Sequence, residues 1–504
     1  MAEVIMETNA GDICGMEERG VLSFKGVPYG APTGGKRRFL LPQPVEPWTG
    51  VRYAGDFGPV CPQTGALVDE SRPYSVVRSD GHTRIWPQSE NCLVLNVWTP
   101  GTKDGGKRPV LVWLHGRGHT GGAGSETMYH GANLARRGNV VVITINHRLN
   151  VFGYLHLADI AGETYAGSGI VGELDIVLAL EWVRANVENF GGDANNVTIF
   201  GESVGGGKVS TLLAMPSAKG LFHRAVVQSG PGLRGVPAKD ASEFAEQLLA
   251  KLGIRANEID KLQQVPAQQL LDTVGALSSE GVAARLSPVV DGNYLPANPF
   301  DPVAAPTAAE VPLMIGCNRD ENALFSARDP RRRRLTEEEL RERLKPTLGE
   351  HMDRIIGVYK KTRPEATPWD LYIGIQSERT RRSSILLGER KAASGPAPVF
   401  QYLFMYQSDF LGGLFKASHA MEIPFVFDNT DDVGMTGERP DKHEMAETMS
   451  ETWVAFARNG DPNNPTIPKW EPFSADHRAT MLFDVPNHQE IDPFREELDA
   501  WEGM

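Results

Sequence analysis

The stretch "NVTIFGESVGGGKVS", Asn196 to Ser210, decides how this chain is read. An apolar run ends at Phe200, and glycines, a serine and a lysine follow it. Two chemistries use such a pattern. A phosphate-binding loop reads G-x-x-x-x-G-K-[ST], and a nucleophile elbow reads G-x-S-x-G. The register separates them. A phosphate loop ending at Lys208 needs glycine where Glu202 stands and a hydroxyl residue where Val209 stands. The Glu202 carboxylate would also repel a phosphate. An S-x-x-K reading fails because Gly206 occupies the lysine position. The elbow fits without substitution at Gly201, Glu202, Ser203, Val204 and Gly205. Its two glycines leave room for a sharp strand-to-helix turn that lifts the serine oxygen clear of the backbone.

The surroundings of the elbow suit that turn. "RPVLVWLHG" (Arg108 to Gly116) and "NVVVITINHR" (Asn139 to Arg148) read as buried strands. Leu174 to Phe190 has helical periodicity, with Gly191-Gly192-Asp193 as its stop. "NNVTIF" is the next strand, Val204 to Met215 a helix, and "HRAVVQSG" (His223 to Gly230) a further strand. Alternation of this kind predicts an α/β fold with a large, mostly parallel sheet and helices on both faces. The C-terminal half is richer in long helical patterns such as Glu444 to Gly460, which are expected to pack over the sheet and wall the site. With no internal repeat or low-complexity linker, residues 1–504 read as one domain with insertions.

Composition narrows the function classes. Hydrophobic residues make up 41% of the 504, enough for a substantial core. A net charge of −13 gives no support to nucleic-acid binding. The one basic block, Arg331 to Arg334, lies between Asp329-Pro330 and the acidic stretch Glu337 to Glu342, and reads as a solvated loop. The N-terminal segment is interrupted by charges and has no apolar h-region. No stretch approaches the ~18 apolar residues of a membrane span, so no membrane association and a cytoplasmic location are expected. The cysteines Cys14, Cys61, Cys92 and Cys317 lack metal-ligand spacing, and free thiols are the default in a reducing compartment.

A serine hydroxyl needs a base within hydrogen-bond reach, and that base needs an orienting acid. In elbow hydrolases the chain order is serine, acid, histidine. His419, in "LFKASHAMEIPFVF", lies where the base belongs; His443, His477 and His488 are alternatives in more polar contexts. Glu321, in "MIGCNRDENALF", follows the apolar run Val311 to Ile315, with Asp320 as its direct competitor. Backbone donors for an oxyanion hole would come from Val204 and from the Gly-rich loop "WLHGRGHTGGAGS", Trp113 to Ser125. His115 and His119 stand four apart in that loop, but metal ligation at this spacing needs a helix, and two intervening glycines make a poor one.

Several segments in fixed order now carry a resemblance. They are "FKGVPYGAP" at Phe24, "RRFLLPQPVEPWTGV" at Arg37, "FGPVCPQ" at Phe57 and "SENCLVLNVWTP" at Ser89. The "HGRG" loop, "NFGGDANNVTIFGESVGG", "GCNRDENALF", "ASHAMEIPFVF" and "FARNGDPNNP" complete the series. The chain resembles the type-B carboxylesterase and cholinesterase-like family of α/β hydrolases over nearly its whole length, and is most similar to the bacterial para-nitrobenzyl esterase branch. The resemblance implies an α/β-hydrolase fold with helical insertions over the site. It implies a triad of Ser203, Glu321 and His419, with Glu321 rather than Asp320 as the acid. It implies oxyanion donors at the N–H groups of Arg117, Gly118 and Val204. Glu202 matches an acidic neighbour of the catalytic histidine, and Ser229 a serine that supports the histidine and acid. Cys61 and Cys92 match a pair that forms a disulfide in secreted relatives and can stand reduced in a cytosolic protein.

The resemblance also exposes departures. Arg117 replaces the middle glycine of the oxyanion loop, where a left-handed backbone would cost roughly 1–2 kcal/mol. His119 replaces an aromatic that narrows the site, and Val204 an alanine. Asn322 replaces a glycine after the acid, and Asn91 an aspartate before Cys92. None removes a catalytic group, so the departures bear on substrate range. The expected activity is hydrolysis of small carboxylic esters by a monomer or weak homo-oligomer, with no metal or organic cofactor. A hydrolase of amides or carbamates would share the same triad. A non-catalytic scaffold of this fold would characteristically lack part of it, and all three residues are present.

Overall fold

The computed structural model describes residues 3–64, 86–331 and 333–504. Its main sheet contains β1 (Glu3–Thr8), β2 (Gly11–Glu18), β3 (Val21–Pro28), β4 (Val51–Tyr53) and β5 (Val94–Thr99). β6 (Arg108–Leu114), β7 (Val141–Ile145), β8 (Gly192–Glu202) and β9 (Arg224–Gln228) follow. The last strands are β10 (Leu313–Asn318), β11 (Val399–Phe404), β12 (Ala479–Phe483) and β13 (His488–Ile491). The order across the sheet is β1-β2-β3-β5-β7-β6-β8-β9-β10-β11-β12-β13, with β4 beside β2. The run from β7 to β12 is parallel. β1, β2, β3 and β5 at one side, and β13 at the other, join antiparallel.

The parallel strands are apolar on both faces because both faces are covered. Alternate residues of each strand enter different cores. Val110, Val112, Ile199, Val227 and Ile315 pack with α1 (Val171–Asn186), whose contributions include Ile176 and Leu180, and with α2 (Val204–Leu212) through Val209 and Leu212. Leu111, Trp113, Phe200, Val226 and Met314 face the opposite layer. Between β10 and β11 the chain inserts α3 (Glu337–Leu348), α4 (Met352–Thr362) and α5 (Pro368–Ala392), which share a third core with Trp501. α6 (Lys442–Asn459) brings Met445, Met449, Trp453 and Phe456 onto the Trp113 side of the sheet.

Each strand and helix expected around the elbow is present with shifted ends. α6 packs on the sheet as expected, but no residue of this helix lines the cavity beside Ser203. In the basic block, Arg331 pairs with Glu339 at 2.7 Å and Arg333 donates to Leu411 O at 3.0 Å; Arg332 lies outside the described residues. Among the described residues no helix is long and apolar enough to cross a membrane.

Candidate active site

β8 runs straight into the elbow. Ser203 adopts φ 56° and ψ −129°, a region that costs a non-glycine residue on the order of 1–3 kcal/mol. The surrounding backbone holds it there. Ser203 N–H donates to Gln228 O at 2.8 Å, and Leu114 pairs with Gly201 across β6 and β8. A Cβ at Gly205 would lie 2.1 Å from Leu114 O, and one at Gly230 would lie 1.5 Å from Ser203 O. The glycines are there because three backbone segments occupy adjoining space.

Glu321 stands in the turn after β10, its Oε1 accepting from Asn318 N–H at 2.9 Å. Its Oε2 lies 2.5 Å from His419 Nδ1, and His419 N–H donates to Glu321 O at 3.3 Å. Asp320 is engaged elsewhere, by Arg319 at 3.0 Å and by Ala417 N–H at 3.3 Å. His443, His477 and His488 are surface residues beside Asp431, Glu471 and Glu490. His419 Nε2 lies 3.1 Å from Glu202 Oε1. Ser203 and His419 line the same cavity, but no hydrogen bond joins them. Such contacts commonly tighten only in the Michaelis complex.

Burial opposes the imidazolium of His419, yet the carboxylates of Glu202 and Glu321 outweigh it and push the pKa up to about 10. Burial pushes Glu202 up to about 8, with His419 pulling it back. The two groups titrate together, because a neutral Glu202 would no longer hold the imidazole charged. Glu422, fully buried, completes the group. It accepts from Asn318 Nδ2 at 2.6 Å and from Gln228 Nε2 at 3.2 Å, and burial pushes it up to about 7. Sequence reasoning missed Glu422; the available signal was a lone carboxylate inside the apolar run "AMEIPFVF".

Arg117 and Gly118 take left-handed backbones, φ 68° and 71°, and both face the cavity that holds Ser203. That cavity measures about 270 Å³ and is also lined by Glu126, Met128, Tyr129 and Phe325. The Arg117 side chain approaches Glu126 at 3.7 Å, and burial raises the Glu126 pKa against the pull of Arg117. The Phe325 ring sits 5.0 Å from that of His419. Val204 opens α2 directly after Ser203.

Other predicted residues fall outside this arrangement. His119 packs on Tyr154 at 4.8 Å and does not line the cavity. Asn322 begins the short helix Asn322–Ser326, its N–H donating to Ser377 Oγ at 3.0 Å. Ser229 is buried beside Gly230, and its hydroxyl has no hydrogen-bond partner, so it makes no bond to His419 or Glu321. Cys61 and Cys92 are both buried free thiols, and Cys61 Sγ accepts from Leu149 N–H at 3.2 Å.

The sequence pattern of the carboxylesterase family matches residues 2–501. The chain belongs to the carboxylesterase family. This family member is a carboxylic ester hydrolase with the α/β-hydrolase fold. It is 34% identical to para-nitrobenzyl esterase of Bacillus subtilis, covering 98% of this chain and 97% of that protein. It is 32% identical to phenmedipham hydrolase of Pseudarthrobacter oxydans, covering 95% and 94%. The crystal structure of the Geobacillus stearothermophilus carboxylesterase EST55 superimposes with a TM-score of 0.84 at 39% identity, covering 99% of this chain and 100% of that one.

Proposed function

We propose that this carboxylesterase works through an acyl-enzyme on Ser203. The observation that carries the reading is the 2.5 Å contact between His419 Nδ1 and Glu321, made in the cavity that also holds the strained Ser203. Glu321 fixes the imidazole, and Nε2 exchanges its contact with Glu202 for the Ser203 proton as Oγ attacks the ester carbonyl. N–H groups of Arg117, Gly118 and Val204 receive the negative charge of the tetrahedral intermediate. Collapse of the intermediate releases the alcohol with the proton from His419. Water then adds to the acyl-enzyme by the same base, and the carboxylic acid leaves. The same reading takes a small ester as the substrate, a monomer or weak homo-oligomer as the assembly and the cytoplasm as the compartment.

The test is hydrolysis of para-nitrophenyl esters from acetate to decanoate, with the matching anilides alongside. Ser203→Ala and His419→Ala should each lose on the order of 10⁶ in kcat while staying folded. Equal rates in wild type and Ser203→Ala would overturn the acyl-enzyme. Faster turnover of anilides than esters would move the preferred substrate to amides.

A further inference from the structure

Lys208 is buried at 0% exposure on α2, the helix that begins beside the nucleophile, and nothing in the chemistry above uses it. An ammonium group without water must be satisfied by the protein. Its Nζ makes one hydrogen bond, to His115 O at 2.9 Å. The nearest counter-charge acts through space from Glu173 on α1, which is also fully buried. Burial pushes Lys208 down to about 7 and Glu173 up to about 8, and each pulls the other back toward its charged form. The pair sits among imidazoles and beside Asp175, which is itself paired with Arg148 at 2.6 Å and also raises Glu173. Burial first, and Lys208 second, hold the imidazoles of His115, His119 and His147 well below their usual pKa. The rings of His115 and His147 stack at 5.1 Å, and Tyr154 O–H donates to Glu173 Oε1 at 3.4 Å.

The position of the accepted carbonyl gives the arrangement a purpose. His115 is the root of the loop that carries Arg117 and Gly118. The far side of that loop is pinned independently. Asn150 N–H donates to His119 O at 2.7 Å, and Gln63 bonds Gly122 N–H at 2.8 Å and Gly122 O at 3.2 Å. At the root, the Gly116 and Gly205 backbones press against the opposite segment, and a Cβ at Gly116 would meet Glu202 O at 2.9 Å. Close approach sets how near the segments come. The hydrogen bond from Lys208 resists sliding of one along the other.

We propose that Lys208 is a positioning residue of the oxyanion hole. Its ammonium ties His115 O to the helix of the nucleophile and so fixes Val204 N–H relative to the Arg117 and Gly118 N–H groups. This inference rests on the serine-esterase reading. Stability alone would not explain the choice, because apolar side chains of similar volume commonly replace buried charges with equal or greater stability.

The experiment compares wild type, Lys208→Met, Lys208→Gln and the double variant Lys208→Met/Glu173→Leu. It measures kcat, KM, Tm and inhibition by an aryl trifluoromethyl ketone, which becomes a hemiketal oxyanion on the serine. Lys208→Met and the double variant should lose roughly 10- to 100-fold in kcat, and as much in ketone affinity, with KM within about twofold. The Tm of the double variant should stay level or rise, whereas Lys208→Met leaves Glu173 without its counter-charge and should lose stability, so the relation of kcat to Tm is read from the double variant. Lys208→Gln keeps a donor without the charge and should recover part of the loss. If Lys208→Met does not fold, the double variant carries the test, since it removes both buried charges together. A folded variant lacking the ammonium, with kcat and ketone affinity within about twofold of wild type, would overturn the proposal. So would a loss of kcat that merely follows a falling Tm. Wild-type enzyme that hydrolyses no ester would instead sink the esterase reading, and this inference with it.

Discussion

His419 and Lys208 are both buried basic side chains near the elbow, and they respond to burial in opposite ways. His419 has a carboxylate at each ring nitrogen, Glu321 at 2.5 Å and Glu202 at 3.1 Å, and its pKa rises. Lys208 has a peptide carbonyl as its one hydrogen-bond partner and only a through-space carboxylate, and its pKa falls. Burial is the first-ranked influence on both and opposes the charged form of both. The difference therefore lies in whether carboxylates are close enough to repay lost hydration. On the proposed reading one centre exchanges a proton and the other holds a backbone in place.

That contrast can be broken at several points. The largest effect is expected at Glu321, where Glu321→Gln should lower kcat by about 10⁴ by removing the acceptor that fixes the imidazole tautomer. A loss below about tenfold in a folded variant would mean His419 is oriented by something else. The next effect is on stability. Replacing Lys208 and Glu173 together with Met and Leu should stabilise the fold by about 1–4 kcal/mol, read from urea unfolding. The sign follows from linkage. The Lys208 pKa is lowered in the folded state, so its penalty is full below about pH 7 and fades as pH rises toward the unfolded value. The Glu173 pKa is raised, so its penalty is absent at low pH and full above about pH 8. The gain should therefore peak between these values, and a gain that is flat with pH would remove the electrostatic explanation.

The smallest expected effect is a shift in pH profile. Glu202 raises the His419 pKa, and a general base must be neutral. Glu202→Gln should therefore move the acidic limb of kcat/KM to lower pH. An unmoved limb, or one displaced upward, would show that Glu202 does not share a proton with the imidazole.

Much of the frame was legible because local signals and the fold agreed. "NVVVITINHR" read as a buried strand, and G-x-S-x-G between a strand and a helix as a sharp turn once partner residues stood in the right order. Glu321 and Asp320 could not be separated by spacing, because adjacent carboxylates differ only in which way a turn points them. The contact of Asn322 with Ser377, far along the chain on α5, carries no local sequence signal. Glu422 escaped notice, and Lys208 was weighed only as a phosphate-loop lysine, because a buried charge has meaning only once the groups facing it are known.

The contact of Gly230 with Ser203 O, and of Gly205 with Leu114 O, has a consequence for how this enzyme is born. The segments that meet there come from β6, β8 and β9, which are distant in sequence and joined by parallel pairing. Parallel pairing of distant segments is intrinsically late and slow, since loop closure must precede any reward. With Ser203 as the proposed nucleophile, a partly folded chain would have no working site, however much helix it has formed. Recovered esterase activity after dilution from denaturant should therefore report closure of the central sheet, and trail any optical signal of helix formation.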